Sequence, residues 1–337
     1  MNIMKLIKLV QIKMLFTILI ITTFTSCNEH KNHDTIPLKR LKLIDSINIK
    51  YLFNIRDLLV KDNLIIFSNN RSDSIIVIYD LLKNEIIKSF GKRGKGNNEF
   101  IFPNLAFNDP ENPYFFINDF GRKKITRVNI RNLSDITNYT YSFNTIPLTL
   151  IALNDSIYVF DTFNPKQGKI IETGITGDIE KVVYDFPDLY KKFNESSFYK
   201  GFMTYNYKKN LIAYAYMRLD RLDIISLSGT LIKKTDKTIY KRINKKDLME
   251  NEIFCGGIFS DDKFIYIEKT KAKEKELVRF PEHIPGTIEC YSWDGYLRKR
   301  IYSDRYFRYF FINEKKHLLY NFDDQKENYQ LKIYQIL

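Results

Sequence analysis

Thr287-Ile288-Glu289-Cys290-Tyr291-Ser292-Trp293 is followed by Asp294-Gly295 and then by Tyr296-Leu297-Arg298-Lys299-Arg300-Ile301. Two alternating segments joined by Asp-Gly are a strong hairpin signal, because both turn residues accept the positive φ that a two-residue hairpin loop requires. The pattern recurs upstream. Leu222 to Leu227, a turn at Ser228-Gly229 and Leu231-Ile232-Lys233 form one copy; Ser74 to Asp80, a turn near Lys83-Asn84 and Ile86 to Phe90 form another.

Each hairpin follows a short apolar run. Six such runs begin at Leu64, Tyr114, Ser156, Leu211, Phe264 and His317, at spacings of 50, 42, 55, 53 and 53 residues. Four are introduced by a turn pair: Asp62-Asn63, Asn154-Asp155, Lys209-Asn210 and Asp262-Lys263. Asn and Asp suit such turns because they bond the nearby backbone and tolerate left-handed conformations. Repeats of this length, each holding about four short strands, read as a β-propeller. The expected fold is all-β, a six-bladed β-propeller over residues 38–337. The last repeat ends at the C-terminus without an outer strand, and Leu38 to Ile44 is a spare strand that would close that blade and remove two sheet edges.

Composition agrees. The chain has 26 Phe and 23 Tyr, an aromatic content of 15%, and such residues favour pleated, half-buried strands. The formal charge is +13, with the basic residues scattered rather than clustered, which fits solvated faces better than a polyanion groove.

The N-terminus carries a different signal. Lys5, Lys8 and Lys13 precede an uncharged run from Met14 to Ser26, which ends at Cys27. A basic segment, a short apolar stretch and small residues at its end make an export signal. The run is too short to span a hydrocarbon core, which takes about 20 residues. Thr25-Ser26-Cys27 followed by Asn28-Glu29-His30 resembles a bacterial lipobox, with Phe24 where leucine is usual. The expected organisation is a lipoprotein signal peptide at 1–26, an acylated tether at 27–37 beginning with lipidated Cys27, and the propeller. The expected location is the cell envelope, lipid-anchored, with the outer membrane favoured. Nucleic acid is then excluded as a partner.

The loop Gly91-Lys92-Arg93-Gly94-Lys95-Gly96-Asn97-Asn98-Glu99-Phe100-Ile101-Phe102-Pro103 resembles the junction of NHL-type repeats, which links the outer strand of one blade to the inner strand of the next. Together with the lipobox and the six repeats, the chain resembles the TolB-like six-bladed propeller lipoproteins of Bacteroidetes, a group without an assigned activity. The resemblance implies fold and location and brings no catalytic residues.

Catalytic chemistry finds little support. The glycines at 91–96 are flanked by strand-like residues, whereas a phosphate loop must open a helix. Of four histidines, His30 and His33 lie in the tether and His283 and His317 are isolated. Asp261-Asp262 and Asp323-Asp324 read as turn pairs, and no Gly-x-Ser-x-Gly elbow exists. The reading assigns no catalytic residue, no metal ligand and no cofactor. Cys255 and Cys290 are either core thiols or a disulfide, which an exported protein permits.

Two functional readings follow. The favoured one is a binding platform for a protein, peptide or glycan partner. Its candidate ligand contacts are Lys92, Arg93 and Lys95, for an anionic group at the mouth of the ring, and the aromatics Tyr190, Phe193, Phe198 and Tyr199. A second aromatic cluster, Tyr302 with Tyr306 to Phe311, reads as a buried inner strand. The alternative is a cell-envelope hydrolase or lyase using central-channel acids and a bound cation. Cys27→Ala is expected to abolish acylation and move the protein from the membrane to the soluble fraction; a variant that still partitions like wild type contradicts the lipoprotein reading.

Overall fold

The Asp294-Gly295 turn forms with Gly295 alone at positive φ, 82°, rather than both turn residues, and the equivalent turns place Asn84 at φ 57° and Gly229 at φ 94°. The structure is a computed structural model. It describes residues 36–337 except 50, 51, 53, 54, 70–72, 143–146, 163–167, 178, 179, 187, 188, 190–192, 194, 195, 199, 281, 282, 326 and 327. The signal segment, Cys27 and most of the tether therefore lie outside the described residues.

Strand β1 (Leu38–Ile49) comes first. Sheet 1 is β2 (Ile55–Lys61), β3 (Leu64–Asn69), β4 (Ile76–Asp80) and β5 (Glu85–Phe90), followed by two short strands, β6 (Lys92–Arg93) and β7 (Glu99–Phe100). Sheet 2 is β8 (Pro103–Asn108), β9 (Tyr114–Asp119), β10 (Lys124–Asn129) and β11 (Ile136–Thr140). Sheet 3 is β12 (Pro147–Ala152), β13 (Ile157–Thr162), β14 (Lys169–Gly174) and β15 (Glu180–Asp185). Sheet 4 is β16 (Gly201–Asn206), β17 (Leu211–Tyr216), β18 (Arg221–Ser226) and β19 (Leu231–Asp236). Sheet 5 is β20 (Gly257–Ser260), β21 (Phe264–Lys269), β22 (Gly286–Ser292) and β23 (Leu297–Ser303), with a short helix α1 (Glu274–Arg279) between β21 and β22. Sheet 6 is β24 (Tyr309–Asn313), β25 (Leu318–Gln325) and β26 (Asn328–Ile336), completed by β1. The strands within each sheet pair antiparallel in chain order.

The all-β arrangement is propeller-like. The innermost strands β2, β8, β12, β16, β20 and β24 pack each against the next, and β24 packs back against β2. The apolar runs explain this. Side chains alternate across a strand, and in β3 Ile65 and Phe67 enter a core shared with sheet 6 while Ile66 enters one shared with sheet 2. In β21, Ile265 and Ile267 face sheet 4 and Tyr266 faces sheet 6. Among the described residues there are six apolar clusters, one between each pair of neighbouring sheets. Cys255 and Cys290 are buried in two of these clusters as free thiols, so the disulfide left open above does not form.

The spare strand is longer than the sequence suggested, and it is shared. Leu38 to Arg40 pair parallel with Arg300 to Tyr302 of β23, and from Leu41 to Ile49 the strand runs antiparallel to β26. It therefore covers the edges of sheets 5 and 6 together. The seam between sheets 6 and 1 is tied by two tyrosines. The Tyr309 hydroxyl donates to the carbonyl of Ile55 at 2.7 Å, and the Ile55 N–H donates to the Tyr329 hydroxyl at 2.9 Å. Tyr329→Phe leaves the Ile55 N–H without that acceptor. The expected loss is about 1–3 kcal/mol in urea unfolding, the cost of a buried unsatisfied donor; an unchanged midpoint and slope would show that this seam carries no load.

Candidate functional site

The six innermost strands enclose a cavity of about 460 Å³. Gly201, Gly257, Thr204 and Ser260 all line it. The strands run in one direction around it. β8 and β12 pair parallel, Asp57 near the start of β2 accepts from the Leu105 N–H near the start of β8 at 3.0 Å, and near the opposite ends Thr204 and Ser260 share a hydroxyl hydrogen bond of 2.6 Å. The channel thus has two unlike ends.

At the end where the inner strands begin, Arg56, Lys200 and Arg308 come from sheets 1, 4 and 6 and line the cavity with Asp57. Lys200 and Arg308 are exposed and Arg56 is half-buried. Burial pushes the Asp57 carboxyl up to about 7, against the Leu105 N–H and the charges of Arg56 and Arg308, which hold it down. Outside the lining, Asp161 accepts from the N–H of Thr149 at 2.7 Å, and burial raises it to about 6. The opposite end carries Asn108, Tyr205 and Tyr207. The Tyr207 hydroxyl reaches the Ala152 carbonyl of the neighbouring sheet at 3.2 Å. Among the described residues, no three His, Cys, Asp or Glu side chains are grouped to hold a metal ion.

Buried carboxylates elsewhere pin the connections between sheets. Glu268 of β21 accepts from the N–H of Phe307 at 3.0 Å, and burial pushes it up to about 8. Asp119 of β9 accepts from the N–H groups of Ile101 and Phe102 at 2.8 and 2.9 Å, which fixes the entry into β8.

No protein-family model and no curated protein matches the chain. Solved structures do. A member of the DUF4221 family from Bacteroides vulgatus superposes with a TM-score of 0.64 at 11% identity, covering 88% of this chain and 98% of that one. A candidate exported protein from Bacteroides fragilis superposes with a TM-score of 0.55 at 12% identity, covering 91% of this chain and 97% of that one. The chain shares their fold. At these identities the likeness concerns the fold alone.

The candidate contacts read from the sequence fall elsewhere. Lys92, Arg93 and Lys95 are exposed, but none lines the cavity. Their loop is a structural clip. Phe100 is fully buried under the Lys124 ammonium, 4.4 Å from its ring, and that ammonium donates to the carbonyls of Asn97 and Glu99. Gly91 sits at φ 80°, where a Cβ would lie 2.6 Å from the Phe100 ring.

Phe193 and Phe198 are corrected. They are 4% and 3% exposed, stack on each other at 4.8 Å, and belong to the core between sheets 3 and 4, so neither presents a ring to a ligand. Burying two stacked rings outweighs leaving them in water, by about 1.5–3 kcal/mol for each side chain. Tyr190 and Tyr199 lie outside the described residues. The second cluster behaves only in part as read: Phe310 and Phe311 are buried in inner strand β24, but Tyr302 stands exposed on β23 and Arg308 is exposed before β24.

Arg56, Asp57, Lys200 and Arg308 were missed. Each stands at or just before the start of an inner strand, as in Lys200-Gly201-Phe202 and Arg308-Tyr309-Phe310. A charge at that recurring position is the signal that could have found them.

Asp57, Asp161 and Glu268 have folded pKa values above the roughly 4 of an unfolded carboxyl. The folded chain therefore binds more protons than the unfolded one, and stability falls as pH rises through this window. The melting temperature is expected to decline between pH 5 and 7.5, below the range in which Lys61 and Lys124, lowered by burial to about 8, begin to titrate. Glu268→Gln should flatten that decline; a melting temperature that rises across the window in wild type contradicts the assignment.

Proposed function

We propose that the chain is an exported, lipid-anchored protein of the cell envelope. In this reading, residues 1–26 direct export, Cys27 carries the lipid and the six sheets are the blades of a six-bladed propeller with NHL-like junctions. Its role is that of a binding platform for a protein, peptide or glycan partner. The observation that carries the platform reading is the channel mouth. Three cations from three separate sheets line one end of a cavity of about 460 Å³, a size within the roughly 300–1,000 Å³ of small-ligand sites. The likeness to the Bacteroides fragilis candidate exported protein supports export, and the lipobox supports the anchor.

A second reading has one specific observation behind it. The carboxyl of Asp57, raised by burial to about 7 on the channel wall, is poised to give or take a proton near neutral pH. That would suit the envelope hydrolase or lyase alternative, with Asp57 as general acid.

One experiment separates the two. Peptide and glycan arrays are probed with the full chain in mild detergent, and every retained ligand is weighed by mass spectrometry after incubation. The platform reading expects a ligand recovered with unchanged mass and lost on the double charge reversal Lys200→Glu with Arg308→Glu. A ligand recovered as fragments, with fragmentation abolished by Asp57→Asn, establishes the enzyme instead. Binding that survives the charge reversal places the site away from the channel mouth.

A further inference from the structure

An exposed aromatic ring is fixed beside the cations of the channel mouth. Phe102, the residue before β8, is 44% exposed, and its ring stacks on Phe120 at 5.3 Å with an angle of 8°. The guanidinium of Arg56, on the cavity wall, lies 5.4 Å from the Phe120 centroid. The stack therefore continues directly into the lining of the cavity.

The backbone holds the Phe102 ring in place. The Asp119 carboxylate accepts from the N–H groups of both Ile101 and Phe102. Gly121 lets the chain pass close, since a Cβ there would lie 2.9 Å from Ile101 and 3.0 Å from the Phe102 ring. A large apolar ring left in water yet fixed at its backbone is preorganised to stack on a ligand.

Phe102 thus stands beside the end of the channel that carries Arg56, Lys200 and Arg308, and the mouth joins three cations to a flat exposed ring.

We infer that the ligand of the channel mouth is an acidic saccharide. Arg56, Lys200 and Arg308 take its carboxylates, and Phe102 stacks on a sugar face. This inference rests on the binding-platform reading and gives it a ligand class. An acidic peptide satisfies the cations but brings no flat sugar face to the ring; a neutral glycan satisfies the ring but brings no charge to the three cations.

The test is calorimetric titration of the full chain in mild detergent with three acidic probes: trigalacturonate, trimannuronate and a heparin-derived hexasaccharide. Fully methyl-esterified trigalacturonate and hexaglutamate serve as comparators. At least one acidic probe should bind, with both comparators weaker by about tenfold or more, the scale of losing one charge-assisted hydrogen bond. Lys200→Gln with Arg308→Gln, at two exposed positions, should weaken that probe by about tenfold and flatten its salt dependence. Phe102→Ala, with its melting temperature checked, should weaken it by about fivefold, the scale of a lost stacking contact. Equal binding of hexaglutamate, equal binding of the methyl ester, or no binding by any of the three acidic probes overturns the inference. In the first two cases the binding-platform reading survives, because a ligand still occupies the mouth.

Discussion

Every sheet in this protein is apolar on both faces, and that constraint governs the rest of the structure. The middle strands send alternate side chains to opposite neighbours, as Ile66 does to sheet 2 while Ile65 and Phe67 go to sheet 6. No sheet can bury its two faces without a partner on either side. A row of sheets would leave two apolar faces in water; bringing β24 against β2 leaves none. Closure at the seam of sheets 6 and 1 is therefore where the burial of all six cores becomes mutually dependent. The two tyrosines on Ile55 and the shared strand β1 sit at or beside that seam.

Closure also creates the site. Six inner strands that converge on one axis cannot all carry large side chains inward, and Thr204 and Ser260 are among the small residues that line the cavity. Polar groups are needed in such a place for two reasons. Some pin the connections between sheets through backbone N–H groups, as Glu268 does before sheet 6 and Asp119 does at the entry into sheet 2. Others line the cavity itself: Arg56, Lys200 and Arg308 gather three positive charges at one end of it, beside the carboxyl of Asp57.

Much of the architecture was legible because it is written in local chemistry. The apolar hexapeptides from Leu64 onward became middle strands of the sheets, and Asn84, Gly229 and Gly295 hold the turns assigned to them. The junction loop at Gly91 to Pro103 was read as structural, and Phe100 is buried there. The double pairing of β1 was not legible, since nothing in Leu38 to Ile49 says that its first residues join one sheet and the rest another. The aromatics around Phe193 misled for a related reason. The polar pieces Pro187-Asp188 and Glu195-Ser196-Ser197 suggested a surface loop, yet the Phe193 and Phe198 rings turn inward and stack. The channel cations come from three sheets far apart in the chain, and a single sequence does not show which residues share a wall.

A closed ring of doubly apolar sheets ends in a basic, aromatic-edged channel mouth, which is the proposed site for an acidic saccharide. The most direct test is a crystal structure of the chain grown with trigalacturonate. The account predicts a sugar ring stacked on Phe102, with carboxylates against Arg56, Lys200 or Arg308 at the end of the channel where the inner strands begin. Density for the sugar at the opposite end, beside Tyr205 and Tyr207, or on the outer rim away from the channel would contradict it.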